Sequence, residues 1–193
     1  MSVDDRVDPR VAQTRRVVYA ATLAVIAESG VQAATVERIS ERAGVARSTV
    51  YRRWPSLAQL YYEAFGQLAR RTSQPVRGDT PVELLRYLQD YADRLNDDTY
   101  CSVLVALLDA AWRDPELAQV RGTLFDERSS RAAAIVDAGV ASGRLRPDLD
   151  RRQVLDAVVA PFLYRRVVEQ QWLSRADVRR LRDDVFARFG APG

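Results

Sequence analysis

Ser48 and Arg52 stand four residues apart, and so do Thr49 and Arg53. On a helix, residues at that spacing share a face, so each pair forms one outward row. The short hydroxyls lie near the helix start and the guanidiniums one turn later. A short hydroxyl can approach a base edge, and a guanidinium can make paired bonds to guanine or to phosphate. Tyr51 sits beside these rows and suits a hydroxyl-to-phosphate contact. Arg47 opens the same helix. The chemistry on offer is recognition of a nucleic-acid duplex.

The run TVERISERAGVARSTVYRRWPS, residues 35 to 56, must position these groups. Thr35 is a good N-cap, because its hydroxyl can accept a bond from a free amide of the first turn. Val36, Ile39 and Ala43 form one apolar stripe at helical spacing. Gly44 follows where a left-handed stop is needed, and Val45 fills the angle after it. Val50 and Trp54, four apart on the second helix, face the first. Two short helices around a glycine turn, apolar inside and arginine-rich outside, are the layout of a helix-turn-helix. A solvated charged face on an ordinary helix pair fits the same spacing.

Charge adds modest weight to the first reading. Residues 1 to 56 hold nine arginines against six acidic residues. The net charge of the whole chain is +3, so the remaining 137 residues are neutral in sum. Phosphate neutralisation supplies most non-specific affinity for nucleic acid, and it requires this asymmetry.

Residues 14 to 66 resemble the DNA-binding domain of the tetracycline-repressor (TetR) family of transcriptional regulators. The resemblance rests on the run above and on the helix before it, TRRVVYAATLAVIAESG. It implies a homodimer on a palindromic double-stranded operator, each DNA-binding domain mounted on a helical body that takes a small-molecule effector. It implies that Thr35, Tyr51 and the helix start after Ser56 hold phosphates. It implies also that Arg47, Ser48, Thr49, Arg52 and Arg53 face the groove. The expected function is repression released by a ligand; activation, ligand-independent repression and a purely structural helix pair are the alternatives. Two positions depart from the family pattern. Ala46 stands where a serine commonly caps the reading helix, and Leu57 replaces a frequent lysine.

Composition excludes much else. There is no histidine, so no histidine-based triad and no histidine-ligated metal. No carboxylate cluster has metal-ligand spacing; no metal, cofactor or enzymatic activity is expected. Cys101 is the only cysteine, which rules out an intrachain disulfide and fits a reducing cytoplasm. It reads as a small buried hydrophobe or, alternatively, a thiol sensor. The longest apolar run, Val17 to Ala27, is too short to span a membrane. The start MSVDDRVDPR lacks a signal-peptide core.

Start and stop signals predict an all-α chain of about nine helices, with no hairpin and no long alternating strand. Residues 1–56 are expected to form an arm and the helix-turn-helix, and 57–193 a ligand-binding and dimerisation body. The first ~12 residues read as a free arm, with helix 1 from about Thr14 to Ser29. Ser56 with Gln59 caps helix 4, which runs to about Arg71. Thr72 to Asp79 is a loop. Thr80, Pro81 and Glu83 read as a capping box opening helix 5. Later helices begin near Thr99, Asp114, Asp150 and Ser174. Pro161 should kink the helix that contains it.

Tyr61, Tyr62, Phe65, Tyr87, Tyr91, Leu108, Trp112 and Phe162 mostly fall at core spacing, and core packing is the default reading; the functional alternative is a cavity for an apolar or amphipathic molecule. Ala132, Ile135, Val136 and Gly139 form a small-residue stripe. Val158 and Phe162 lie on a helix that is apolar nearly all round. These six are the expected dimer face, unless that helix is buried inside one chain.

Overall fold

The computed structural model describes residues 9–69 and 79–191. Among the described residues nine α-helices follow one another: α1 Pro9–Ser29, α2 Val36–Ala43, α3 Arg47–Arg53, α4 Leu57–Ala69, α5 Thr80–Asn96, α6 Asp98–Ala110, α7 Pro115–Ala141, α8 Arg151–Leu163 and α9 Arg175–Phe189. Among the described residues there is no strand, only one isolated antiparallel bridge between Leu145 and Gly190. The expected loop from Thr72 lies outside the described residues except for Asp79.

α1 begins at Pro9, five residues before the expected start. Proline is pre-set for the first helical turn and lacks an N–H that would go unpaired there. The Thr14 hydroxyl donates to the Arg10 carbonyl at 2.8 Å within this extra turn. The rest of the expected arm, residues 1–8, lies outside the described residues. α5 also starts differently. Asp79 is the cap residue, without a side-chain cap bond, and Thr80 lies inside the helix with its hydroxyl buried and unpartnered. Glu83 does not reach back to the cap. It is buried and pairs with Arg86 at 2.7 Å.

The chain forms two compact units. The first contains α1 to α4 with residues 102–121, and the second contains residues 79–101 with 122–191. In the first unit Val18, Val25, Ile39, Val50, Leu60 and Leu104 are fully or almost fully buried. In the second, Leu88, Tyr91, Leu95, Ile135, Val158 and Val178 form the core.

α8 contains Pro161, which cannot donate to the preceding turn. Three residues later the hydrogen bonding widens to a π turn over Tyr164–Val168, with the Glu169 N–H donating to Tyr164 at 3.2 Å. Arg165 then pairs with Asp177 at 2.7 Å, and Arg166 donates to the Leu95 carbonyl at 3.1 Å. Ser174 opens α9 with a reciprocal capping box to Asp177.

Candidate nucleic-acid interface

α2 is held by local chemistry at both ends. The Thr35 hydroxyl accepts from the Arg38 N–H at 3.3 Å, as an N-cap should. Gly44 has φ +66°, a left-handed stop that disfavours any side chain, and the Val45 N–H reaches back to Ser40 at 3.0 Å. Two of the arginines are committed here. Arg42 makes a two-pronged pair with Glu28 at the end of α1, both bonds 2.6 Å, and Arg38 donates to the Ser29 hydroxyl at 3.2 Å. These side chains fix α2 against α1.

α3 presents the remaining ones. Val50 and Trp54 are buried, which points the opposite face outward. Arg47, Ser48, Tyr51 and Arg52 are exposed; Thr49 and Arg53 are half-buried. Tyr51 is 61% exposed, so its hydroxyl is open to a partner. Arg47 has only a loose pairing with Glu37, at 3.6 Å. Arg52 and Arg53 have no carboxylate partner among the described residues. Both rows read from the sequence therefore occur on one surface, with their guanidiniums available.

Ala46 caps α3 without any side-chain bond, as its methyl group requires. Ala46→Ser supplies the missing acceptor. It is expected to raise unfolding stability by about 1 kcal/mol, read as a higher urea midpoint with an unchanged slope. No shift in the midpoint would mean that the first-turn amides are already satisfied.

One feature escaped the sequence reading. Glu63 on α4 accepts bonds from three residues: the Tyr19 hydroxyl of α1 at 2.5 Å, the Trp54 indole at 3.0 Å, and Gln59 at 3.2 Å. The Tyr19 and Trp54 rings meet edge to face, 5.8 Å between centroids. Burial pushes the Glu63 carboxyl up, but the three hydrogen bonds and the Arg15 charge outweigh it and hold it below the usual carboxylate range. Burial, then the Glu63 hydrogen bond, pushes the Tyr19 phenol up to about 12. Glu63 thus joins the end of the reading helix to α1 and α4. Nothing in local periodicity marks it, since a glutamate on an amphipathic helix normally reads as solvated. Ser56 accepts from the Gln59 N–H at 3.2 Å, giving α4 its cap, while the Gln59 side chain turns to Glu63.

The eight aromatic and aliphatic residues read as pocket lining divide between the units. Tyr61 and Phe65 line a cleft in the first, with Leu23, Ile26, Leu107 and Val120. Its cavity is about 10 Å³, room for one water. The Tyr61 hydroxyl is already committed, donating to the Ala34 carbonyl at 2.8 Å. Tyr62 and Leu108 are half-buried. Trp112 is 84% exposed in the turn after α6 and lines neither this cleft nor the second unit's core. Tyr87, Tyr91 and Phe162 are buried together in the second unit, where the Tyr91 and Phe162 rings stack at 6.3 Å.

The six residues read as a dimer face are all buried inside the chain. Gly139 is small because Leu145 and Thr80 occupy the space a β-carbon would need, the nearest atom 2.6 Å away. On α8, Val154, Val158 and Phe162 point inward, and the adjacent stripe Leu155, Val159 and Leu163 is partly exposed. An all-round apolar helix does not reveal which stripe its own chain will cover. Cys101 is buried, and burial raises its thiol pKa, so it is a weak nucleophile.

Two helices at a glycine turn, with a hydroxyl- and arginine-bearing face turned outward, define a DNA-binding transcriptional regulator of the helix-turn-helix class. Residues 18–64 match the family model for bacterial regulatory proteins of the tetR family, and residues 74–185 match that for a tetracyclin repressor-like C-terminal domain. The chain belongs to the TetR family. It is 27% identical over 180 residues to the HTH-type transcriptional regulator YdeS of Bacillus subtilis, covering 92% of this chain and 90% of YdeS. It is 26% identical over 174 residues to the HTH-type transcriptional repressor KstR of Mycolicibacterium smegmatis, covering 84% and 74% respectively. A transcriptional regulator from Saccharomonospora viridis, solved in complex with choline, has the same fold at 16% identity, with a TM-score of 0.67 over 94% of this chain and 100% of that one. Among the described residues no helix is long and apolar enough to cross a membrane.

Proposed function

We propose that the protein is a homodimeric repressor. Two copies of α3 hold a palindromic operator, and a small molecule bound in the helical body releases it. The observation that carries this reading is the α3 face, where Arg52 and Arg53 stand uncommitted beside Ser48, Thr49 and an exposed Tyr51. Family membership supports it, as does the likeness to a relative named as a repressor. Thr35 and the start of α4 after Ser56 are the phosphate contacts in this arrangement. The partly exposed stripe Leu155, Val159 and Leu163 is the surface for the second copy, and the site of action is the cytoplasm.

Release requires that a ligand favour one of two states of the protein. The two reading helices must sit about 34–36 Å, or a multiple of that, apart along the duplex. Glu63 carries any shift of α4 to Trp54 at the end of α3, so a small rotation of α4 alters that spacing.

The test is a band shift with the DNA upstream of the protein's own gene across a salt series. One discrete, salt-sensitive complex on a palindromic segment is expected. Weak binding, equal on all DNA, would overturn the reading. Tyr51→Phe removes a single phosphate bond and is expected to weaken all sequences equally, by about 1 kcal/mol. A changed sequence preference would instead place Tyr51 on the bases.

A further inference from the structure

Beside the core of the second unit lies a half-buried arginine that no carboxylate of the described residues pairs with. Arg131 of α7 pairs with Asp90 of α5 at 3.3 Å. Arg128, one turn earlier, has no carboxylate partner among the described residues. Its guanidinium lies over the Tyr91 ring at 4.8 Å and the Phe125 ring at 4.5 Å, and its Nε is sealed from solvent without a hydrogen-bond partner. The hydroxyls of Tyr87 and Tyr91 are buried and unpartnered as well, on side chains 1% and 0% exposed. The charge of Arg128 acts on both phenols, Arg94 and Arg131 act on Tyr87 as well, and Arg128 donates a hydrogen bond to the Tyr100 hydroxyl, so these groups form one neighbourhood.

Buried polar groups in folded proteins are nearly always paired, and the two phenol hydroxyls are exceptions to that here. Arg128 and both phenols can donate a hydrogen bond. Burial pushes the Tyr91 phenol up to about 12 and the Tyr87 phenol in the same direction, so both keep their protons at neutral pH. What is missing is an acceptor with negative charge. The surroundings are otherwise apolar: Phe162 stacks on Tyr91, and Phe125 flanks Arg128.

We propose that the effector is an organic monoanion, a carboxylate head on an apolar body, with the head held by Arg128, Tyr87 and Tyr91. The proposal rests on the reading that a small molecule regulates this protein, and it adds the ligand's chemical class. A neutral alcohol would leave the guanidinium unmatched. A quaternary ammonium would meet like charge. A carboxylate accepts from all three donors, and a guanidinium bond to it is charge-assisted.

The test uses the full-length protein and matched probes: octanoate, decanoate and 3-phenylpropionate, each against its alcohol, with octyltrimethylammonium as the cation. Affinities come from calorimetry, and melting temperature gives a second reading. At least one carboxylate is expected to bind about tenfold or more tighter than its alcohol. Arg128→Met should remove that advantage, leave alcohol binding within about twofold, and keep or raise the melting temperature. Tyr91→Phe, a smaller change that does not threaten folding, should lower the advantage partly. An alcohol or the ammonium binding as tightly as the carboxylates overturns the proposal, and so does an advantage that survives Arg128→Met. A band shift separates this from the regulatory reading. Arg128-dependent carboxylate binding that leaves DNA affinity unchanged upholds the ligand class and defeats release.

Discussion

Replacing Arg52 and Arg53 together by alanine is expected to abolish specific operator binding while leaving the fold intact. Both side chains stand on the outer face of α3 without an ion-pair partner among the described residues, so their removal orphans nothing inside the protein. A well-placed guanidinium is worth about 1–3 kcal/mol at a base edge. Two per half-site give about 2–6 kcal/mol, at least ~30-fold in affinity for each half-site. The salt dependence should flatten as well, by nearly one unit of slope for each phosphate that is no longer neutralised. The result that would sink the DNA assignment is unchanged affinity with an unchanged salt slope. The paired arginines give the control. Arg42 is held by Glu28, so Arg42→Ala should act mainly on stability.

The second large effect belongs to Glu63→Ala. Its carboxylate is the acceptor for the Trp54 indole and the Tyr19 hydroxyl, and removing it leaves both donors without that partner. Each orphaned buried donor costs about 1–3 kcal/mol, so about 2–4 kcal/mol of unfolding free energy should be lost, less for Tyr19 because it is only part-buried. Urea denaturation measures this directly, and a loss under about 0.5 kcal/mol would show that water replaces the carboxylate. Glu63→Gln keeps an acceptor and should lose less. The pH dependence has a definite sign. The folded-state pKa of Glu63 lies below its unfolded value near ~4.3. Its contribution is therefore complete above that unfolded value and fades as pH falls through the lowered folded one. The alanine variant should lack this part of the acid-side slope. DNA affinity is expected to fall too, since Trp54 then holds the end of α3 less firmly.

Much of the helix-turn-helix was legible in the sequence because its signals are local. Thr35, Gly44 and Ser56 act through their own backbone neighbourhood, and each does in the structure what its type allows. The all-α order followed from the same kind of signal. Local rules failed where two rules compete over a few residues. Asp79 took the cap position that Thr80 and Glu83 were expected to define. Contacts distant in sequence were invisible. Glu63 and Arg128 are charged residues on helices, which periodicity assigns to solvent, yet one ties three helices together and the other lies among aromatic rings. On α8 the sequence did not reveal which apolar stripe its own chain covers, because both stripes are equally apolar; the structure buries Val154, Val158 and Phe162.

The π turn after Pro161 has a consequence in helical phase. A π turn takes in one residue more than the α-helix it interrupts, and one residue corresponds to about 100° of rotation. Everything from Arg165 onward is turned by that angle relative to a continuous α8. In that orientation Arg165 meets Asp177 and Arg166 meets the Leu95 carbonyl. Deleting Tyr164 would restore an unbroken helix and carry both guanidiniums about a quarter turn away from their partners. The docking of α9 is thus encoded as an angular offset, one residue wide, rather than in any single contact.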